Sequence, residues 1–290
     1  MLLFCSNSER RMNCRSEAQM NENTIRDEQL NTYVRRTVAS GIKPIELFLV
    51  PIYDCYGEDT VAYRISANVN SVIAGVLKPD DYLNSVSDEE LLSEFSLRIL
   101  KKTAVLKNRL EGCGINVGQL FVRFPSAMIY TDDIYAGIRK ALTEALSAGN
   151  KLCIEFDSTV MDADSARLSE IFADIRAAGL KVAVCGYGEE GFPMEKLMGA
   201  CPDFLFTDER VARLAVDREK RGALAPLINF AKSLGGEIIA ENVQSDAELR
   251  ELRTRECFGF IPGRDYGGAL DVKSDAAKPE ELIAQGEGND

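Results

Sequence analysis

Short apolar runs rich in β-forming residues alternate with amphipathic stretches along most of this chain. From the third run on, the runs begin at intervals of roughly 20–30 residues, the length of a βα unit. The stretches between them carry helix signals, such as a Ser/Asp cap followed by acidic residues, or a closing glycine. We predict strands at residues 45–54, 61–69, 119–126, 151–157, 181–188, 204–208, 237–243 and 258–262.

Eight strands separated mainly by helices predict an α/β protein, and specifically a (β/α)8 TIM-like barrel. The alternative is an open, doubly wound sheet. Only four residues, 56–59, separate IELFLVPIYDC from TVAYRISANV, the segments that hold the first two strands. Four residues cannot hold a crossover helix, so we predict that the first strand runs antiparallel to the second.

The two ends of the chain differ in composition from this alternating region. Residues 1–40 are polar and charged, which predicts an N-terminal arm or linker. Residues 41–268 hold the predicted barrel. The last twenty residues carry six acidic side chains against two lysines, so we predict an acidic flexible tail over residues 269–290.

The net charge of the chain limits the classes of partner that we expect, and its cysteines indicate the cellular compartment. The 34 basic and 46 acidic side chains give a net charge of −12, which disfavours nucleic acid and anionic membranes as partners. No apolar run approaches the roughly 20 residues that span a bilayer. The eight cysteines form no C-x-x-C pair, which favours reduced thiols and a cytoplasmic location.

The chain contains no histidine, which excludes histidine-based acid–base catalysis, Ser-His and Cys-His pairs, and histidine metal sites. Active groups of a barrel lie at the carboxyl ends of its strands. Three of these ends carry carboxylates, Glu155, Asp208 and Glu241. Together they could bind a divalent cation through oxygen. Alternatively, each pairs with a nearby Arg or Lys or caps the next helix.

The other strand ends offer a different set of groups. Tyr63, Arg64, Arg123 and Cys185 could line a remodelled enzyme pocket. That hypothesis predicts a strongly shifted pKa for a tyrosine or cysteine in a dry cleft. A lone Cys185 without a basic partner is more often inert.

Seven stretches occur in the order and near the spacing of a known family. They are VPIYD, GVLKPDDYL, KLCIEFDST, GLKVAVCGYGEEG, PDFLFTDERV, IIAENVQSDAELREL and CFGFIPG. The span from about 45 to 265 thereby resembles the EAL domain, a bacterial signalling phosphodiesterase that hydrolyses cyclic di-GMP with two divalent cations. This resemblance implies a barrel whose first strand is antiparallel.

The resemblance also implies that most of the family's site positions are substituted here. Glu155, Asp208 and Glu241 remain as residual metal-site positions. We expect Phe124 and Phe206 to fill space that a phosphate would occupy. The substituted positions are Tyr63, at the glutamate of Glu-Ala-Leu, and Ala67, Phe124, Ser158, Cys185, Gly186, Phe206, Gln244 and Phe258.

These substitutions predict a catalytically degenerate EAL-like domain that acts as a non-enzymatic regulatory or protein-interaction module. We expect no cofactor and an unidentified protein partner, and a homodimer remains open. Cyclic di-GMP is not expected as a partner. The alternative is residual cyclic di-GMP binding or weak hydrolysis that depends on Mg²⁺ or Mn²⁺.

Overall fold

The computed structural model describes residue 32 and residues 45–57, 59–71, 75–83, 88–273 and 275–287. Apart from residue 32, the predicted N-terminal arm over residues 1–40 lies outside the described residues.

Within the described residues the strands form one sheet. Each strand overlaps with one of the predicted apolar runs, except β3, which follows one. The strands are β1 (Ile45–Tyr53), β2 (Thr60–Ser71), β3 (Gly75–Leu77), β4 (Gln119–Phe124), β5 (Leu152–Phe156), β6 (Lys181–Tyr187), β7 (Phe204–Thr207), β8 (Glu237–Val243) and β9 (Gly259–Pro262).

The sheet closes into a barrel of eight strands in the order β1-β2-β4-β5-β6-β7-β8-β9, with β3 outside the ring on β2. All pairings from β2 through β9 within the ring are parallel, whereas β1 is antiparallel to both neighbours. The predicted barrel with an antiparallel first strand is therefore confirmed. An open sheet is excluded, because β1 pairs with β9 and closes the ring.

Helices cover the outside of the barrel. Several begin at a capping side chain: the Asp88 carboxylate accepts from the Leu91 amide, and the Ser245 hydroxyl accepts from the Glu248 amide. The described helices are α1 (Pro79–Leu83), α2 (Glu89–Gly112), α3 (Ile134–Glu144), α4 (Ser165–Ala177), α5 (Met194–Ala200), α6 (Leu224–Ser233), α7 (Asp246–Thr254) and α8 (Pro279–Glu287).

The hydrophobic core has two layers, because successive side chains of a strand point to opposite faces. The outer layer lies between the strands and the helices and contains most of the buried apolar residues. The inner layer fills the barrel with side chains from the strands alone: Ile52, Ala62, Phe121, Cys153, Ala183, Phe204, Phe206 and Ile239. The interior is a packed core below its open carboxyl end, which we call the mouth.

The segment after β9 differs from the predicted flexible tail. Ala277 forms an antiparallel bridge with Leu49 of β1, and the Tyr53 hydroxyl accepts a hydrogen bond from the Lys273 amide at 3.1 Å. Residues Pro279–Glu287 then form α8, which contacts α2 and β1. Backbone pairing with β1 and partial burial of α8's apolar residues order this segment despite its acidic composition.

No helix in the described parts of the chain combines the length and the apolar character that crossing a bilayer requires.

Candidate functional site at the barrel mouth

Strand alternation brings five polar side chains, one from each of five parallel strands, into the mouth. Each lies two residues after an inner-layer residue and so points into the barrel. The five are Arg64 of β2, Arg123 of β4, Glu155 of β5, Cys185 of β6 and Glu241 of β8.

Arg64 lies at the centre of this group. Its Nε donates to Glu155 Oε2 at 2.9 Å, and its Nη2 donates to Glu241 Oε1. The same Nη2 lies 3.7 Å from Cys185 Sγ. The guanidinium carbon lies 4.1 Å from the ring centroid of Phe206, which forms the floor beneath it. One guanidinium thus joins two carboxylates from strands on different sides of the barrel.

The ionisation of Arg64 follows from these contacts. Burial favours the neutral form and would lower the pKa of the guanidinium, but the charges of Glu155 and Glu241 outweigh this effect and hold the pKa above its ordinary value. The side chain of Glu155 is completely buried. A buried carboxylate needs a compensating charge and hydrogen bonds, and Arg64 provides both.

Arg123 links the mouth to α1. Its Nε lies 3.4 Å from Glu155 Oε1, and its Nη1 pairs with the Asp80 carboxylate on α1. The charge of Glu155 raises the pKa of Arg123 against the lowering effect of burial. Arg123 therefore stays charged at the rim, between the buried Glu155 and the exposed Asp80.

Cys185 does not have the properties of a nucleophile. Its thiol donates to Glu155 Oε1 at 3.2 Å. Burial, and then the charge of Glu155, raise the pKa of the thiol well above its ordinary value. Burial also raises the pKa of the Tyr63 hydroxyl. Both shifts oppose formation of the anion, so they do not support the remodelled pocket as a nucleophilic enzyme site.

Asp208 follows β7 but binds its own neighbour. Asp208 Oδ1 accepts from the Arg210 amide at 2.9 Å and from Arg210 Nε at 2.7 Å. The hydrogen bond from the Arg210 side chain lowers the pKa of this carboxyl, against a smaller raising effect of burial. Of the three predicted carboxylates, the structure joins only Glu155 and Glu241, through Arg64. Pairing with arginine, the alternative interpretation, is what the structure shows for all three.

Three predicted site residues point away from the mouth. Tyr63 and Ala67 lie on the outer face of β2, and Phe124 packs in the outer layer with its ring 6.4 Å from that of Phe156. The expectation that Phe124 fills phosphate space is therefore wrong, since odd and even positions of β4 point to opposite faces. Phe206 does lie inside, below Arg64.

Phe258 lies near the opposite end of the barrel from the mouth. Its amide donates to the carbonyl of Ile238, at the start of β8, and its ring is 5.1 Å from that of Phe204, at the start of β7. Phe258 precedes β9, which runs parallel to β8, so it lies at the amino ends of the strands.

The remaining predicted positions, Ser158, Gly186 and Gln244, lie at or just after the carboxyl ends of strands β5, β6 and β8. Gly186 has φ 75°, and a β-carbon there would lie 3.0 Å from the Ser158 β-carbon and 2.9 Å from the Glu189 carboxylate. Only glycine fits this turn without strain. Gln244 donates to the Asn242 side chain at 2.6 Å.

The mouth does not fit a divalent cation. Among the described residues, no group of three or more Asp, Glu, Cys or His side chains is arranged to bind a metal ion. Both Glu155 oxygens already accept hydrogen bonds or face a guanidinium, and Arg64 lies between Glu155 and Glu241. Sequence reasoning named Arg64 and both glutamates but did not pair them.

Comparison with solved structures places the fold among EAL domains. The PaMucR phosphodiesterase in complex with cyclic di-GMP is 17% identical, with a TM-score of 0.72, over 88% of this chain and 99% of that chain. The Xanthomonas citri FimX EAL domain, also in complex with cyclic di-GMP, is 15% identical, with a TM-score of 0.68, over 85% of this chain and 93% of that chain.

A third similar structure was solved with a metal ion. Klebsiella pneumoniae BlrP1, in a complex with manganese and cyclic di-GMP, is 20% identical, with a TM-score of 0.60, over 75% of this chain and 54% of that chain. No curated protein matches this chain significantly in sequence.

These complexes contradict the prediction that cyclic di-GMP is an unlikely partner of this chain. The prediction considered only the substituted site positions, whereas PaMucR and the FimX EAL domain, which have the same fold as this chain, were both solved in complex with cyclic di-GMP.

The family model described as "EAL domain" matches residues 35–261, which is most of the chain and nearly the whole barrel. With the closed barrel and its antiparallel first strand, this match shows that the chain belongs to the EAL domain family.

Proposed function

We propose that this chain is a non-hydrolytic EAL domain that regulates cyclic di-GMP signalling through a protein partner. The observation that carries the proposal is the position of Arg64, whose guanidinium binds Glu155 and Glu241 at once. The sequence resemblance implies that an active relative uses such carboxylates to bind divalent cations. In this chain the guanidinium of Arg64, a cation held on strand β2, binds Glu155 and Glu241 instead.

The chemistry of phosphodiester hydrolysis supports the proposal. Two-metal hydrolysis needs ligands that fix two cations, one of which generates the attacking hydroxide. Mg²⁺ demands nearly octahedral oxygen coordination. Here Glu155 and Glu241 are bound to Arg64, and Asp208 is bound to Arg210. The three predicted carboxylates are thus each engaged by an arginine.

The strand that resembles the Glu-Ala-Leu segment supplies a second argument. Tyr63 and Ile65 face outward, so Arg64 is the side chain of this segment that enters the mouth. The segment therefore presents a positive charge to the mouth, next to Glu155 and Glu241. A positive side chain there disfavours cation binding more strongly than a neutral one would.

A hydrolysis assay tests the proposal. We expect the purified chain to release no linear dinucleotide from cyclic di-GMP above the blank, with Mg²⁺ or Mn²⁺ at millimolar concentration. An active EAL domain assayed in parallel is the positive control. Metal-dependent product formation that Glu155→Gln abolishes would overturn the proposal, since contaminating enzyme would not respond to that substitution.

A second candidate function is metal-independent binding of cyclic di-GMP at the mouth. The complexes of PaMucR and FimX favour it. In this chain, Arg123 is partly exposed at the rim, and its outer partner Asp80 is largely exposed. Exposed ion pairs contribute little stability, so a phosphate could replace the Asp80 carboxylate on Arg123.

Isothermal titration of cyclic di-GMP in the presence of EDTA tests this second function. We expect binding to the wild type and a loss of at least about tenfold in affinity for Arg123→Ala, the loss of one charge-assisted contact. Arg98→Ala is the matched control, because Arg98 is an exposed arginine on α2 that pairs with Glu94. Equal affinities of Arg123→Ala and Arg98→Ala, or binding only with Mn²⁺, would argue against it.

A further inference from the structure

We infer that the Arg64 guanidinium is the permanent cation of the barrel mouth, so that the folded barrel does not need a divalent ion there and does not respond to one. This inference rests on the proposed function and deepens it, because it states which group replaces the metal. It also makes a claim about stability that does not depend on any assay of activity.

The geometry fixes the guanidinium in place from several directions. Two carboxylates accept its hydrogen bonds, and Phe206 lies beneath its face at 4.1 Å from the ring centroid. Phe206 is itself immobilised, since it is fully buried and its ring lies edge-on to that of Phe121 at 5.0 Å. Arginine favours such planar, stacked and multiply hydrogen-bonded sites.

The charges of the mouth are already balanced. The two guanidiniums of Arg64 and Arg123 face the two carboxylates of Glu155 and Glu241. A divalent ion between the carboxylates would add two positive charges within a few ångströms of Arg64, where repulsion is strong because the site is largely buried. It would also have to displace a cation that is tethered to β2.

The contacts of the Glu155 carboxylate also argue against a bound metal ion. Its Oε2 accepts from Arg64 at 2.9 Å, and its Oε1 accepts from the Cys185 thiol at 3.2 Å and faces Arg123 Nε at 3.4 Å. Both oxygens of this buried carboxylate are therefore occupied. A metal ion could bind it only after at least one of these contacts is broken.

Removal of Arg64 should therefore convert a metal-independent barrel into a metal-responsive one. Arg64→Ala leaves two carboxylates without their shared cation, as breaking a buried ion pair does. We expect the melting temperature of Arg64→Ala in EDTA to fall by about 10 °C. We expect Mn²⁺ to restore part of this loss, because an ion can then occupy the vacated position.

Thermal unfolding in EDTA and in millimolar Mn²⁺ tests the inference on four proteins: the wild type, Arg64→Ala, the triple variant Arg64→Ala/Glu155→Gln/Glu241→Gln, and the surface control Arg98→Ala. The wild type and Arg98→Ala should melt within about 1 °C of each other under both conditions, since surface changes have small effects. The triple variant should melt above Arg64→Ala in EDTA and should not respond to Mn²⁺.

Several results would overturn the inference. They are a wild type that Mn²⁺ stabilises by several degrees, an Arg64→Ala variant that melts like Arg98→Ala, and a triple variant that responds to Mn²⁺ as Arg64→Ala does. If Arg64→Ala does not fold but the triple variant does, the result still supports the role of Arg64 in neutralising Glu155 and Glu241. If neither variant folds, the inference is overturned.

This experiment separates the inference from the proposed function. A wild type that hydrolyses cyclic di-GMP overturns the proposed function. A wild type whose melting temperature depends on Mn²⁺ overturns the inference on Arg64, whether or not hydrolysis occurs.

Discussion

The direction of single side chains decides what the mouth of this barrel contains. Tyr63 and Arg64 are neighbours on β2, yet the first lies in the outer core and the second binds both glutamates. A shift of one residue along a strand moves a side chain to the opposite face. Of these two neighbours, only Arg64 can therefore contribute its charge to the mouth.

The same alternation on β4 gives a prediction for Phe124. Because its ring is buried in the outer core beside Phe156, Phe124→Ala should lower the free energy of unfolding by about 3–5 kcal/mol. Tyr130→Ala, at an exposed aromatic six residues later, is the control and should cost less than about 1 kcal/mol. Urea unfolding measures both values. A small cost for Phe124→Ala would place its ring outside the core.

The raised pKa of the Cys185 thiol gives a prediction about reactivity. Burial and the charge of Glu155 keep the thiol protonated at pH 8, and the thiolate is the species that is alkylated. Iodoacetamide at pH 8 should therefore label the exposed Cys113 long before Cys185, as measured by mass spectrometry of the peptides. Equal rates at the two cysteines would show that Cys185 is accessible and ionised.

Among the secondary structure elements, β1 and the C-terminal segment depend on each other. β1 pairs with β2 along its whole length but with β9 at one position only, Tyr53 with Phe260. Leu49, in the middle of β1, instead forms a bridge with Ala277, and α8 contacts β1. Acidic composition predicted a tail here, although Pro279 followed by two glutamates is also a helix start signal.

Truncation tests the role of this segment. Removal of residues 277–290 deletes the acceptor of the Leu49 amide, the Ala277 carbonyl at 2.9 Å, together with α8. We expect a lower melting temperature and faster hydrogen exchange of the Leu49 amide, because local opening of β1 becomes easier. Removal of residues 288–290 alone is the control and should change neither. Unchanged exchange at Leu49 in the longer truncation would contradict this role.

For the molecule as a whole, the sequence was sufficient for the fold but not for the site. Strand spacing, helix signals and the short connection between β1 and β2 predicted the closed barrel and its antiparallel first strand. The site depends on ion pairs between residues far apart in the chain, such as Arg64 and Glu241, 177 residues apart. Such pairs have no local pattern, so the sequence identified the candidates without their pairing.

At the scale of the whole molecule, our central proposal is that a guanidinium, rather than a metal ion, neutralises Glu155 and Glu241. Titration of the wild-type chain with Mn²⁺, followed by electron paramagnetic resonance of the free ion, measures this without a substrate. We predict that the free-ion signal of the wild type grows as that of Glu155→Gln does, with no stoichiometric site. Loss of one equivalent of signal in the wild type, restored by Glu155→Gln, would show that the mouth binds a divalent cation beside Arg64 and would contradict the account.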